Sequence, residues 1–390
     1  MSNEFETLGV SQALIAALAK RDITGPFAIQ ALTLGDALGG RDLCGKAKTG
    51  SGKTLAFGIP MLDRVGKAGP RRPCGLILVP TRELANQVKE VLEPIGRELG
   101  HRVIACYGGV SMEPQVKALS KGVDIVIGTP GRLIDLMERN ELRLDRVEML
   151  VLDEADRMAD MGFMPQVQKI LHGITTKHQT MLFSATLDGV IDRLVKRYLN
   201  DPVFHEVESE DDMVDEMGHV FLHVHQMDKV KVATAIARGA ERTLLFVRTK
   251  RGADRLVEQL AREGVRAGAI HGDLRQGARE KSLQQFASGK VPVLVATDVA
   301  ARGIHVDGVD VVVHYDPPED EKAYLHRSGR TARAGASGVA VTLMLWNQEN
   351  EIRVLQRRLR LSQPIVEVFS NDKRLVDLSL FQVDAAAVAV

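Results

Sequence analysis

The sequence predicts an α/β protein of two parallel-sheet domains in tandem, joined by a short acidic linker. Three observations carry this. Short apolar runs recur with the same polar ending, stretches with helical spacing separate them, and one acidic break falls near the middle of the 390 residues. In the first half the runs are Gly75 to Val79, Ile125 to Ile127, Met149 to Leu152 and Met181 to Phe183; after residue 225 they are Thr243 to Val247, Val293 to Ala296, Val311 to Val313 and Val339 to Leu343. Uninterrupted apolar strands of this length are buried on both faces, as in parallel sheets. Leu84, Val88, Val91 and Ile95, and later Ala253, Leu256, Val257 and Leu260, have the spacing of one helix face. Residues 206 to 216 hold seven acidic side chains and no basic one, a run that repels itself and suits a hinge.

Composition narrows the function classes. With 51 Lys+Arg against 51 Asp+Glu the net charge is +0, so any surface for phosphate must be local. Hydrophobic residues at 45% and charged residues at 26% exclude a disordered or fibrous chain. Cys44, Cys74 and Cys106 form no closely spaced pair, which argues against a disulfide framework or a thiolate zinc site and for a reducing cytoplasm. No apolar run is long enough to cross a bilayer, so the expectation is a cytoplasmic protein with no membrane partner.

Residues 47 to 54, Ala-Lys-Thr-Gly-Ser-Gly-Lys-Thr, fit a phosphate-binding loop with Ala47 in place of the first glycine. Along Ala47, Lys48, Thr49, Gly50, Ser51 and Gly52, the small residues let backbone N–H groups converge on phosphate oxygens. Lys53 adds a point charge, and Thr54 offers a hydroxyl to Mg²⁺. The run Met149 to Leu152 ends in Asp153-Glu154-Ala155-Asp156. An acid at that place presents a carboxylate to a metal at the sheet's edge: Asp153 for Mg²⁺, with Glu154 able to polarise the attacking water. ATP and Mg²⁺ are the expected cofactors.

Asp153 to Asp156 also spells the name of the DEAD-box RNA helicases, and other stretches resemble that family in order. They are Pro80 to Ala85, Gly108-Gly109, Thr129 to Arg132 and Ser184-Ala185-Thr186, then Phe246 to Lys250, His271 to Asp273, Gln276 with Arg279, Thr297 to Gly303 and His326 to Arg333. The resemblance spans residues 5 to 345. It implies two tandem RecA-like domains: 1–205, which binds ATP; a linker, 206–225; and 226–370, with 371–390 left as a tail. It implies that Lys53, Asp153, Glu154 and the arginine fingers Arg330 and Arg333 carry catalysis, the fingers stabilising charge on the γ-phosphoryl group. Asp156, Ser184, Thr186, His326 and Arg327 would couple closure to hydrolysis. RNA, the expected partner of a monomeric chain, would be held by Arg82, Gly109, Thr129, Arg132, Thr249, Gly272, Arg279 and Thr297. Arginines, hydroxyls and backbone amides suit sugar and phosphate, so binding should ignore base sequence. With aromatics at 4% there is no dense stacking platform.

The implied activity is ATP-dependent unwinding or remodelling of short RNA duplexes or RNA-protein complexes. The alternative is a nucleotide-gated RNA clamp with weak hydrolysis. Two departures from the family pattern bear on nucleotide binding. The adenine-reading segment is Pro26-Phe27-Ala28-Ile29-Gln30, with Phe5 placed for the upstream aromatic and Gln30 for the adenine edges. After Gly303, which belongs to the nucleotide set, His305 stands where the family has an aspartate that resembles a ribose ligand. Neutral imidazole accepts one hydrogen bond where aspartate accepts two. His305→Asp is therefore expected to tighten ATP binding, sharpen rejection of 2′-deoxy-ATP and remove a pH dependence centred at roughly 6.5. Unchanged ATP affinity and sugar discrimination in that variant would refute this reading.

Overall fold

The computed structural model describes residues 4–47, 51–187, 189–207, 217–301, 309–331 and 338–381, without the side chains of Gln276 and Val299. The chain divides into two compact units, 1–209 and 210–390.

The first unit is built on seven parallel strands: β1 Leu43–Lys46, β2 Gly75–Leu78, β3 Val103–Cys106, β4 Ile125–Gly128, β5 Met149–Leu152, β6 Gln179–Ser184 and β7 Val203–Glu206. Their order across the sheet is β3-β4-β2-β5-β6-β1-β7. Helices cover both faces, and the strand residues alternate between two cores with the period of two that a pleat imposes. Ile77, Val79, Met149, Val151, Met181 and Phe183 pack on one side. Leu76, Leu78, Leu150, Leu152 and Leu182 pack on the other.

The second unit repeats this plan. Its strands are β8 Gly218–His223, β9 Thr243–Phe246, β10 Ala267–Ile270, β11 Val293–Ala296, β12 Val311–His314, β13 Val339–Met344 and β14 Ile365–Glu367, all parallel, in the order β10-β11-β9-β12-β13-β8-β14. Subtracting seven from each label reproduces the first sheet. The helix Glu349–Arg358 buries Ile352 and Leu355 against Phe221, Tyr324 and Met344.

Two expected boundaries are corrected. The linker assigned to 206–225 contains the last residue of β7 and the whole of β8. Glu206 pairs in register with Lys46, and Val220, Phe221 and Leu222 are core residues. The polar His219 and His223 disguise this strand; His219 is in fact buried, with Nδ1 2.7 Å from the Tyr324 hydroxyl. Only 208–216 lie between the described strands, outside the described residues. The tail assigned to 371–390 likewise begins inside the packed unit, since Leu375, Leu378 and Phe381 are buried with the helix Lys229–Arg238 in one core.

Truncation after Ser370 should therefore do more than trim a tail. Three large buried side chains at about 1.5–3 kcal/mol each approach the whole net stability of a typical domain, about 5–15 kcal/mol. The expected outcome is a second domain that melts at least 10 °C earlier or does not fold, read by circular dichroism; an unchanged melting curve would contradict the packing.

Candidate nucleotide and RNA site

In both sheets every strand points the same way, so the loops that leave the carboxyl ends share one edge. In the first unit the nucleotide-type residues follow β1, β5 and β6, and the RNA-type residues follow β2, β3 and β4. The two sets occupy the two halves of one edge, the arrangement in which open α/β sheets hold ligands.

Lys48, Thr49 and Gly50 lie outside the described residues. Around them, Ala47 ends β1 in the core, and Ser51 and Gly52 lead into the helix Lys53–Arg64, where Thr54 is half-buried in the first turn. Gly52 has φ +88, and a Cβ there would lie 2.5 Å from the Phe27 ring and 2.6 Å from Gln30 Nε2, so only glycine fits. Lys53 is buried and donates to the Ala47 carbonyl at 2.9 Å, a neutral acceptor at the place where phosphate is expected. Gln30 accepts the Phe27 N–H at 3.0 Å and donates to the Gly52 carbonyl at 2.9 Å. One amide N–H and one oxygen lone pair remain for adenine. Phe5 is different: it is 0% exposed within the first core and offers no ring face for stacking. The exposed aromatic beside the loop is Phe27, which the sequence reading did not single out.

Asp153 follows β5 and is buried, with its carboxylate accepting the Glu154 N–H at 3.0 Å. Burial pushes its pKa up to about 7, while the nearby Lys53 charge opposes that rise. Among the described residues no three His, Cys, Asp or Glu side chains gather into a metal site. The donor set here is one hydroxyl, Thr54, and one carboxylate, Asp153. That set fits Mg²⁺, which keeps waters and takes phosphate oxygens to complete six positions.

Glu154 caps the helix Ala155–Asp160 in a left-handed conformation, φ 50 and ψ 51. Such a conformation costs a non-glycine residue about 1–3 kcal/mol and is typical of residues aimed for function. Its carboxylate is buried and meets Arg157 Nη1 at 2.6 Å. Arg157 was not anticipated from sequence, although its i,i+3 spacing from Glu154 is the available signal. Ser184 ends β6 and accepts the Asp156 backbone N–H at 3.3 Å. The link between these segments thus runs through backbone, not the Asp156 carboxylate, which accepts from the Arg157 N–H. No hydrogen bond of Thr186 to Asp156 joins them among the described contacts.

On the other half of the edge, Arg82 opens the helix Arg82–Glu98, capped by the Thr81 hydroxyl. Gly109 has φ +80, and a Cβ there would come within 2.0 Å of the Arg82 guanidinium, so this glycine makes room for the arginine. Thr129 is partly exposed before the helix Pro130–Glu138. Arg132 corrects the reading. It is 8% exposed, and it donates to Gln115 Oε1 at 2.9 Å and to the Val110 carbonyl at 3.0 Å. Its guanidinium braces the loop that carries Gly109.

In the second unit Thr249 is exposed and caps the helix Lys250–Arg262 by accepting the Gly252 N–H. Gly272 is exposed after β10, Thr297 is buried after β11, and Arg279 is partly buried with Nη2 3.5 Å from the Ala300 carbonyl. His326 and Arg330 are partly exposed around the end of the helix Glu321–Ser328. Arg327 is buried and grips Asp298 with two hydrogen bonds, 2.6 and 2.7 Å long, over the Phe246 ring. It therefore joins the Thr297 segment to the Arg330 segment. Gly303, His305 and Arg333 lie outside the described residues.

Behind this helix, His314 is fully buried between the Ser328 and Thr342 hydroxyls and edge-on to Tyr324. Burial, followed by the Arg327 and His219 charges, holds its pKa well below the usual imidazole value of 6.5. The unfolded chain takes up a proton near 6.5 that the folded chain refuses. Stability is then full above that pH and falls as the solution is acidified below it. His314→Gln should flatten the acid-side fall in the melting temperature between about pH 6.5 and 5, and an unaltered pH profile would contradict a buried neutral imidazole.

Comparison with known proteins agrees with this geometry. A family model described as DEAD/DEAH box helicase matches residues 27–194, and one described as Helicase conserved C-terminal domain matches residues 227–335. The DEAD-box ATP-dependent RNA helicase CshA of Bacillus licheniformis is 39% identical over 359 residues, 92% of this chain and 74% of its own. The protein of the same name from Geobacillus kaustophilus is 40% identical over 90% of this chain and 76% of its own. Among solved structures, S. cerevisiae Dbp5 bound to RNA and ADP BeF3 is similar with a TM-score of 0.83 and 28% identity, covering 98% of this chain and 100% of that one. With this phosphate loop, this acidic quartet and this sheet order in one chain, the protein belongs to the DEAD-box ATP-dependent RNA helicase family.

Proposed function

We propose that this chain is an RNA-stimulated ATPase that uses ATP to unwind or remodel short RNA duplexes or RNA-protein complexes. The observation that carries the reading is the cluster at the first sheet's edge. A buried lysine at a helix start rests on a carbonyl where phosphate would bind, and buried Asp153 and Glu154 follow β5.

In this reading Gln30 selects adenine with its remaining amide hydrogen and lone pair. Lys53 leaves the Ala47 carbonyl for the β- and γ-phosphate oxygens, where its charge meets an opposite charge. Thr54 and Asp153 would hold Mg²⁺, which when bound neutralises charge on those oxygens. Glu154 orients the attacking water once its carboxylate is no longer engaged by Arg157. Arg330 and Arg333 supply positive charge to the terminal phosphoryl group in the transition state, a contribution worth about 10³–10⁵ in turnover in comparable enzymes.

RNA is held through Arg82, the Gly109 loop, Thr129, Thr249, Gly272, Arg279 and Thr297, with Arg132 acting on the Gly109 loop from within. Opening five stacked steps at about 1.4 kcal/mol each needs roughly 7 kcal/mol, within reach of one ATP-driven binding cycle without translocation. The chain is assigned to the cytoplasm as a monomer, a setting that suits three buried, unpaired cysteines.

The test is ATP turnover with and without single-stranded RNA, and with single-stranded DNA as control, for the parent chain and Glu154→Gln. The parent is expected to respond to RNA and not to DNA, and the variant to lose at least 100-fold in stimulated turnover. Removing one partner of the Glu154–Arg157 pair also costs stability, about 3–5 kcal/mol at a fully buried site, so retained ATP binding is the control for folding. RNA binding without turnover in the parent chain would overturn the proposal.

A further inference from the structure

Asp316 lies two residues beyond β12 and uses every polar group it has. Its N–H donates to the Phe246 carbonyl at 3.0 Å, which continues the β9–β12 pairing past the strand ends. One carboxylate oxygen, Oδ2, accepts the Arg248 N–H at 2.8 Å. The other, Oδ1, stands 3.6 Å from Lys229 Nζ, which is buried over the Tyr315 ring. Its carbonyl accepts from Arg327 Nη1 at 2.7 Å. Arg327 in turn holds Asp298.

One residue thus touches the turn just before Thr249 and the arginine three positions ahead of Arg330. A counter-ion for Lys229 alone would need neither contact. The Arg248 bond is at the centre of the normal length range, and a shift of that turn by about 1 Å would break it. Any such shift is passed directly to the residue that holds Arg327. We propose that Asp316 is a positioning residue: it ties the RNA-side turn Arg248–Thr249 to Arg327, and so makes the setting of Arg330 depend on what that turn holds. This rests on the roles proposed above for Thr249 and Arg330.

The test compares two double variants of the full chain, Asp316→Asn with Lys229→Met and Asp316→Ala with Lys229→Met. Both remove the buried ammonium along with its counter-ion, so neither leaves an unpaired charge. Both keep the backbone bonds to Phe246 and Arg327. Asparagine retains an oxygen for the Arg248 N–H, and alanine does not. The readouts are the ratio of RNA-stimulated to RNA-free ATP turnover, the KM for ATP and the melting temperature. The asparagine pair should keep the parent ratio within about twofold. The alanine pair should lose it by about tenfold, with the KM for ATP held. Asp316→Leu, close to aspartate in shape and lacking the acceptor, replaces alanine if that variant melts early, and it should behave as alanine does. Equal ratios in the acceptor-keeping and acceptor-lacking variants would overturn the proposal, whether both are high or both are low. The parent chain's own response to RNA, and its loss in Glu154→Gln, report on the underlying function; the difference between asparagine and alanine reports on Asp316.

Discussion

Seven parallel strands end together, and the rest of the chemistry depends on that constraint. A parallel sheet returns each connection to the amino edge, so all the loops that leave the strands gather at the other edge. The first sheet places the Ala47–Thr54 loop, Asp153 and Ser184 beyond β1, β5 and β6, and Arg82, Gly109 and Thr129 beyond β2, β3 and β4. Residues up to 137 positions apart in sequence, Ala47 and Ser184, need no special loop to meet there. The pairing register brings them level, since Leu78, Leu152 and Leu182 are direct neighbours across three strands.

Ionic groups at the carboxyl edge of each sheet have partners within their own unit. Lys53 rests on a carbonyl, Glu154 on Arg157, and Arg327 on Asp298. Each pairing keeps a buried charge from the full desolvation penalty, several kcal/mol per ion. For Arg327 the partner is permanent in kind: a bidentate bond that fixes geometry. For Lys53 the partner is a neutral carbonyl, which a phosphate oxygen of the proposed nucleotide would replace. A neutral carbonyl is a weaker partner for an ammonium than a phosphate oxygen, so Lys53 is poised to exchange. Glu154 is held more firmly, by a full opposite charge and in a strained backbone conformation, which keeps the carboxylate from being available by default.

The parts of this picture that were legible in sequence are those where one residue type has one physical job. The runs that became β2, β4, β5, β6, β9, β11, β12 and β13 are buried on both faces and read plainly as apolar. β1 was missed because Gly45 interrupts it, and that glycine is required by the Phe183 ring, 2.7 Å from where a Cβ would lie. β7 was missed because it is an edge strand, with Phe204 exposed. β8 was missed because buried histidine reads as polar. Among site residues, spacing found the phosphate loop and the acids. It could not tell Arg132 from Arg82, because both are arginines beginning helices after strands. What separates them is Gln115 and the Val110 carbonyl, which only the fold brings beside Arg132. Phe5 failed for the related reason that sequence shows an aromatic but not which way it is packed.

The repeated sheet order allows one further step. Lys53 opens the helix after β1, and Asp153 follows β5; in the second sheet Lys229 opens the helix after β8, and Asp316 follows β12. The corresponding segments therefore carry the same two residue types, with Asp316 one residue further beyond its strand than Asp153. In the first sheet a left-handed glycine, Gly52, directly precedes Lys53. In the second the segment is Gln226-Met227-Asp228, with no glycine, and Lys229 lies over Tyr315 toward Asp316. Burial pulls the Lys229 pKa down and Asp316 pulls it back up, as expected of a lysine whose counter-ion is built into the protein. The plan that carries the proposed nucleotide site in one sheet carries the proposed brace in the other. A brace at that position has a use in the second domain, because the groups it holds, Arg248 and Arg327, stand next to the residues proposed to meet RNA and ATP.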